Sequence, residues 1–463
     1  MFVRRIVRIV ASVLAVFALA LCFASCAKSG TSEIDRYVPR PEGKIRLQFY
    51  LSNGEKGKRH INNWLNEFNV RYPDVSVEVE YTSIDLDYSV AVKAKTVGDV
   101  INIGADNAAY FEEYLLRLDA WTPFYGIDPD EVIPSIYKAG TVEGKLYAVP
   151  YEFDRVALRY NRDAVKAAGL EDPVKLDAKG EWTWEVFKDY CQRLTREDEN
   201  GRSVGCSLKL GQGTVYLPFM EGFGGQWYDQ FGDQHIRFAS DEKVVYGIEE
   251  MISLVESNVC RFDNAGISSR IKETESRKAF EDYDPETETV FLDTDFRGFA
   301  SAGNSYESKG ADWDVVSMPA FPVKRVGVNS LAFAAYSGTR NADAAAALCL
   351  SLFTEWGQRS FNGPESGLVP NLKALVEEDY WRLPFPDSKT DPVNGKNYDA
   401  FTSYPEADIC GFEQCRIPTE AVDVIREYML NLVPDVVNGS KDLHETLSKL
   451  EREANAAFEA SNN

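Results

Sequence analysis

Residues 44–81 read KIRLQFYLSNGEKGKRHINNWLNEFNVRYPDVSVEVEY, and the period of their apolar side chains changes twice. Ile45, Leu47, Phe49 and Leu51 alternate with polar or exposed neighbours, the spacing of a strand with one buried face. After the polar turn Ser52 to Gly57, Ile61, Trp64, Leu65 and Phe68 stand at i, i+3, i+4 and i+7, one stripe of an amphipathic helix. Pro73 ends that helix, and Val75, Val77, Val79 and Tyr81 then alternate with Ser76, Glu78 and Glu80. Strand, helix and strand in this order predict a right-handed crossover between parallel neighbours. The rhythm continues with an apolar strand over Val100 to Ile103 and a helix expected over Ala108 to Leu118. The fold class is therefore α/β, with mostly parallel sheets flanked by helices.

A second region starts near Asn161. Thr183 caps a helix expected to run to Thr195, with Glu185 at its positive end, and Asp241 to Val255 reads as another. Asn341 is expected to cap one long helix carrying Ala345, Leu348, Leu352, Phe353 and Trp356 inward. Ser440 is expected to cap a last one with Leu443, Leu447, Leu450, Ala454 and Phe458 on one face. The stretch from Gly43 to Asn463 is too long for a single ordinary core, so two domains are expected.

The first residues speak to compartment. Arg4, Arg5 and Arg8 precede the apolar run Ile9 to Phe23, too short for a membrane span, and small residues lead to Cys26. Phe23-Ala24-Ser25-Cys26 resembles a bacterial lipoprotein signal, in which the cysteine is acylated and becomes the new N-terminus; bulky Leu21 makes Cys22 a poorer acceptor. Residues 1–26 are thus expected to be a signal peptide and the polar residues 27–43 a flexible tether. An ordinary cleaved signal is the alternative.

The chain holds 50 Lys+Arg against 73 Asp+Glu; without Arg4, Arg5 and Arg8 the balance is 47 against 73, a net charge of −26. Such a field repels phosphate backbones and anionic membrane surface, so no nucleic-acid partner is expected. Cys191, Cys206, Cys260, Cys349, Cys410 and Cys415 are too sparse for a disulfide scaffold, although Cys410 and Cys415 lie close enough to bridge a loop. His60, His235 and His444 are far apart, and no metal and no cofactor are expected.

Several segments taken together resemble the extracellular solute-binding proteins of ABC importers, the maltodextrin and multi-sugar group. They are Gly144-Lys145-Leu146-Tyr147-Ala148-Val149-Pro150-Tyr151, Leu158-Arg159-Tyr160-Asn161-Arg162-Asp163, Ala168-Gly169-Leu170, Trp182-Thr183-Trp184, and Trp313-Asp314-Val315-Val316-Ser317-Met318-Pro319. The helices from Asn341 and after Gly439-Ser440 also match, and the likeness spans about residues 44 to 460. The resemblance implies a two-lobe periplasmic-binding-protein-like fold with a ligand cleft between lobes. Crossings would fall near Tyr151 to Arg155, Val326 to Ser330 and Asn362 to Gly367. Lobe one would hold 44–153 plus 328–362, and lobe two 154–327 plus 363–463.

A sugar needs carboxylates, amides and Arg for its hydroxyls and aromatic rings for its C–H faces. Loops at the carboxyl ends of strands are where such groups are expected. Ser52 and Asn53 follow the first strand, though Asn53-Gly54 is also a common turn. Asp106 and Asn107 follow the Val100 strand at a position matching ligand contacts of the family; Asp106 can equally cap a helix. Glu152, Asp154 and Arg155 sit at the first crossing, where a purely structural hinge network is the other reading. Gln212, Thr214 and Tyr216 precede Gly222-Phe223-Gly224-Gly225 as family contacts often do, and Trp227 is either a stacking ring or core. Phe296 stands where the family often has a stacking Trp, beside Asp293, Asp295 and Arg297; Asp293-Thr294-Asp295 lacks the spacing of a calcium loop. Ser366-Gly367 and Glu413 are weaker candidates.

These expectations describe a monomeric, lipid-anchored, non-enzymatic binding protein that hands a sugar to ABC permease subunits. The same fold holding a peptide, polyamine or other cationic nutrient is the alternative. An exported hydrolase is disfavoured, since H-E-x-x-H and P-loop motifs are absent from the sequence and three scattered histidines leave a Ser/His triad few options. A purely adhesive lipoprotein on this fold is a third class.

Overall fold

The computed structural model describes residues 37–50, 54–82, 91, 95–198, 201–229, 232–262, 288–290, 292–295, 312–362, 368–378, 380–382, 396–397, 399–412 and 415–461. The principal elements begin with β1 (Gly43–Tyr50), α1 (Gly54–Arg71), β2 (Val75–Thr82), β3 (Val100–Gly104), β4 (Ala148–Arg155) and β5 (Ala157–Asn161). Next come α2 (Trp184–Leu194), β6 (Cys206–Leu208), α3 (Gly213–Gly222), α4 (Glu242–Glu256), β7 (Cys260–Phe262), β8 (Leu292–Asp295) and β9 (Trp313–Ser317). Then follow β10 (Val326–Ala335), α5 (Ala342–Leu350), α6 (Glu355–Phe361), β11 (Ile409–Cys410), α7 (Thr419–Val437) and α8 (Leu443–Ser461).

Two sheets carry two cores. The first has the order β11-β10-β3-β1-β2, with β4 also paired to β10; the second runs β7-β6-β8-β5-β9. Ile45, Leu47 and Phe49 of β1 and Ile61, Trp64, Leu65 and Phe68 of α1 are all buried in the first core, as their periods require. Trp64 stacks on Phe333 of β10 and donates Nε1–H to Ser351 Oγ at 2.8 Å, so this large ring carries no unpaired polar atom. α2, α3, α4, α7 and α8 enclose the second core.

The sheets are mixed rather than mostly parallel. β1 pairs in parallel with β2 and β3, but β10 is antiparallel to both β3 and β4, and β5 is antiparallel to β8 and β9. The reason is topological: β10 returns directly from the second core instead of arriving by a helical crossover. The residues around Asn329 of β10 and Asp154 of β4 therefore form one antiparallel ribbon running between the lobes, with Val328 opposite Arg155 and Ser330 opposite Phe153. Val156 N–H continues it by donating to the Gly327 carbonyl at 3.0 Å. The register slips between Leu331 and Ala332, opposite Glu152 and Pro150, leaving Tyr151 as the extra residue. Pro150 has no N–H to pair, which fits a bulge there.

The third passage lies later than Asn362 to Gly367. Leu368, Leu372 and Leu375 pack into the first core, and Trp381 is buried with its Nε1–H on the Val376 carbonyl. Ala400 and Phe401 pack instead with Ala157, Trp313 and Val315 of the second sheet. Lys396 and Asn397 already bond to Trp313, Asp314 and Val315 of the second sheet.

Three helix expectations also need correction. Ala108 to Leu118 is not a helix but a series of 3-10 turns, because Leu116 N–H pairs with the Ala335 carbonyl at 2.7 Å and pulls Leu115 into an extended conformation. The long helix from Asn341 breaks at Thr354, which is extended and caps α6 through Gly357 N–H, while the Asn341 side chain donates to the Lys44 carbonyl instead of capping. Asp442 caps α8 by accepting from Glu445 N–H; Ser440 donates to the Asp435 carbonyl. Thr183 caps α2 as expected, and Asp241, read in the sequence as the first helical residue, is instead the cap of α4.

Gly327 sits where the ribbon meets α3: a Cβ there would lie 1.7 Å from the Thr214 carbonyl oxygen. Gly327→Ala is expected to destabilise by at least about 2 kcal/mol, read from the urea midpoint, since backbone must move on both sides. His60 lies edge-on to Phe361 and Phe49, and desolvation lowers its pKa from 6.5 to about 4. Between those values the unfolded chain binds a proton that the folded chain refuses, so this contribution to stability is present above pH 6.5 and is lost as pH falls towards 4. His60→Leu is expected to flatten the pH dependence of the urea midpoint in that window by roughly 1–3 kcal/mol relative to the parent chain.

Candidate functional site

The ribbon joins the lobes, and polar groups gather on either side of it. On the side of the second core, α3 begins at Gly213 with Gln212 as an extended N-cap residue whose side chain makes no capping bond. The absent Cβ of Gly327 lets the Thr214 backbone rest on the ribbon. Thr214 Oγ1 and Tyr216 OH are buried and have no hydrogen-bond partner among the described residues. Burial alone raises the Tyr216 pKa, so its phenol stays neutral. A buried hydroxyl without a partner costs about 1–3 kcal/mol, which marks these two atoms as unusual in a packed core.

On the first core, β3 ends in a 3-10 turn over Ala105 to Asn107, and the turn faces the N-terminal half of α7 from the second core. The Asp106 carboxylate occupies the space a Cβ on Gly104 would take, with Oδ1 2.2 Å from that position. Arg426 Nη2 donates to Asp106 Oδ2 at 3.0 Å, and the Asp106 side chain is only 9% exposed. Thr419 Oγ1 donates to Asn107 Oδ1 at 2.6 Å, and Tyr110 OH donates to Glu420 Oε1 at 2.8 Å. Arg416 bridges to Glu112 at 3.0 Å and to Glu143 at 3.1 Å. A cavity of about 750 Å³ opens beside this seam, lined by Asp106, Tyr137, Glu143 and Lys373 from one lobe and Gln234 and Arg416 from the other.

The remaining sequence candidates separate. Arg155 is buried, with its guanidinium over the Phe153 ring at 5.2 Å. For Glu152, Asp154, Asp293 and Asp295 the backbone alone is described: the first two pair with Leu331 and Asn329 in the ribbon. Asp295 pairs with Ala157, two residues beyond Arg155, and Asp293 with Arg159. Trp227 is core: it is 2% exposed, packs on Phe238 and Phe412, and donates Nε1–H to Glu221 at 3.0 Å, leaving no ring face for a ligand. Cys26, Ser52, Asn53, Phe296, Arg297, Ser366, Gly367 and Glu413 lie outside the described residues. Cys410 and Cys415 are free thiols in the structure, as are Cys191, Cys206, Cys260 and Cys349, and Cys415 Sγ lies 3.9 Å from the Gly411 carbonyl oxygen. Among the described residues no cluster of His, Cys, Asp and Glu is arranged to hold a metal, and no helix is long and apolar enough to cross a membrane.

Sequence reasoning missed Tyr110, Arg416, Thr419, Glu420 and Arg426. In the sequence the α7 residues look like an ordinary solvated helix face, and only the apposition of the lobes gives them partners.

Residues 56–259 match the family model described as bacterial extracellular solute-binding protein. The mannitol-binding protein of Pseudomonas aeruginosa is 26% identical over 137 residues, 28% of this chain and 30% of the relative. The arabinooligosaccharide-binding protein of Bacillus subtilis is 21% identical over 246 residues, 51% of this chain and 52% of the relative. The matched stretches thus span about half of these curated relatives or less. The solute-binding fold itself extends further: the ABC substrate-binding protein Lmo0181 of Listeria monocytogenes, solved with cycloalternan, superposes with a TM-score of 0.67 at 16% identity, covering 90% of this chain and 99% of that one.

If Asp106 and Arg426 hold the seam together, a double-mutant cycle of Asp106→Asn and Arg426→Ala should give a coupling energy of about 0.5–1 kcal/mol in urea unfolding. Simple additivity of the two substitutions would show that they act independently.

Proposed function

We propose that this chain captures a sugar or oligosaccharide between its lobes by hinge closure and delivers it to the permease of an ABC importer, without catalysis. The observation that carries the reading is the seam: hydrogen-bonding side chains of the first lobe, Asp106 and Asn107, meet those of the second, Thr419 and Arg426, beside a cavity and next to a two-strand ribbon. The sugar ligands named for the relatives support the choice of cargo. Sugar hydroxyls bond both carboxylate and amide acceptors, and a ligand that touches both lobes shifts the equilibrium towards the closed state by its differential affinity. Thr214 Oγ1 and Tyr216 OH are further polar atoms near the ribbon with bonding capacity to spare. The same reading places the body outside the cytoplasm as a monomer, anchored through acylated Cys26 after removal of residues 1–25, and assigns it no cofactor.

The seam carries Asp106, Glu112, Glu143 and Glu420 against Arg416 and Arg426, and this excess of carboxylates keeps a cationic nutrient as the second reading.

Thermal unfolding with mannitol, arabinooligosaccharides, linear and cyclic glucans, polyamines and short peptides tests both. A ligand at 100 times its Kd stabilises the fold by about 2.7 kcal/mol, enough to raise Tm by several degrees. Asp106→Ala and Asn107→Ala are expected to weaken that ligand about tenfold or more by titration calorimetry. Stabilisation by polyamines or peptides alone would replace the sugar assignment, and no stabilisation by any compound would remove the binding role.

A further inference from the structure

Three cysteines from separate elements meet in the second core, away from the seam. Cys206 of β6 lies in register with Cys260 on the parallel neighbour β7, so the two side chains leave the sheet on the same face. Cys191 comes from α2, whose C-terminal turn is tied to the start of β6. Thr195 Oγ1 donates to the Cys191 carbonyl at 2.7 Å and accepts from Gly205 N–H at 2.9 Å. The approach is so close that a Cβ on Gly205 would lie 2.1 Å from the Cys191 carbonyl oxygen. Cys206 Sγ lies 3.6 Å from the Val259 carbonyl oxygen, and Cys206, in register with Cys260 and next to Gly205, is the one of the three that neighbours both others. All three are buried, at 0%, 0% and 5% exposure.

We propose that Cys206 is the obligatory member of a structural disulfide in lobe two, closed with either Cys260 or Cys191 when the chain folds under oxidising conditions. Adjacent parallel strands put paired Cα atoms about 4.8 Å apart, inside the range a disulfide spans. In the bond-forming step two thiols lose two protons and two electrons to the disulfide of an oxidised thiol reagent, which leaves as two thiols, and one Sγ–Sγ bond forms. Burial raises the Cys191 and Cys260 pKa values, so both stay protonated and unreactive once the core has closed. The bond therefore forms during folding. With a central thiol and two flanking ones, one bridge at most exists and one of the three cysteines always remains reduced. Either bridge would tie β6 to β7 or to α2. The inference needs an oxidising folding environment and is independent of what the seam binds.

The test is refolding of the full chain with oxidised glutathione, alkylation of remaining thiols and peptide mapping without reductant. One bridge containing Cys206 is expected, in Cys191→Ala and in Cys260→Ala as well as in the parent. Cys206→Ala is expected to carry no bridge between the other two, and reduction of the parent should lower Tm by several degrees. Three alkylated thiols in the refolded parent, a Cys191–Cys260 bridge, or a stable glutathione adduct on Cys206 would overturn it. If Cys206→Ala does not fold, the two flanking variants still decide: each must keep a bridge to Cys206.

Discussion

Everything in this molecule hangs on the pairing of β4 with β10. Two chain segments cross between the cores in opposite directions and are hydrogen-bonded to each other as they cross, Val328 opposite Arg155 and Ser330 opposite Phe153. A single connecting strand would let the lobes twist freely, and a sheet of many strands would lock them. A two-strand ribbon bends across its width and resists shear along its length. The close seat of the Thr214 backbone on Gly327 fixes where the second lobe begins on that ribbon, and the bulge at Tyr151 fixes where the first ends. Just behind the bulge, the buried amides of Gln358 and Asn371 anchor it: Asn371 Nδ2 donates to the Pro150 carbonyl at 2.5 Å and Asn371 N–H to Gln358 Oε1 at 2.6 Å. Bending is thereby confined to a few residues.

The contacts across the seam are of a different kind. They join charged or hydroxyl side chains, most of them half-exposed, at the tips of a 3-10 turn and a helix. Bonds of this type contribute 0–1 kcal/mol each, so together they match the few kcal/mol that one bound ligand supplies. Contacts held this weakly are reversible, unlike the apolar cores on either side.

Much of this architecture was legible in residues 44–81, where apolar period alone gives β1, α1 and β2. The helix cap Thr183 was also plain, since a cap depends on three or four neighbouring residues. What escaped was set from a distance. Phe111, Leu115 and Leu118 have helical spacing and are all buried, yet the end of β10, more than 200 residues later, claims the N–H of Leu116 and forbids the helix. Thr354 breaks the apparent helix from Asn341 because Gly357 must lie against the Ser351 carbonyl. At the seam, Asp106 and Asn107 were found as residues following a strand, but Arg426 and Thr419 carry no local mark. Trp227 shows the reverse error: aromatic chemistry suits a sugar, but a ring with its N–H satisfied by Glu221 and its faces packed is spent on the core.

Arg426 also bears on how a ligand enters. A polar ligand that takes Asp106 must displace the guanidinium, so its affinity is the difference between its own bond and the ion pair it breaks. The displaced Arg426 is not stranded. Asp423 lies 3.9 Å away on the same helix, and the Phe412 ring lies 5.2 Å beneath the guanidinium. Both partners stay with lobe two whatever the ribbon does, so breaking the bond to Asp106 leaves a solvated, still partnered cation rather than a buried bare charge. The exchange therefore asks little of the ligand at that point. On the proposed reading, discrimination between ligands would fall to atoms without a second partner, such as Thr214 Oγ1 and Tyr216 OH on the helix that meets the ribbon.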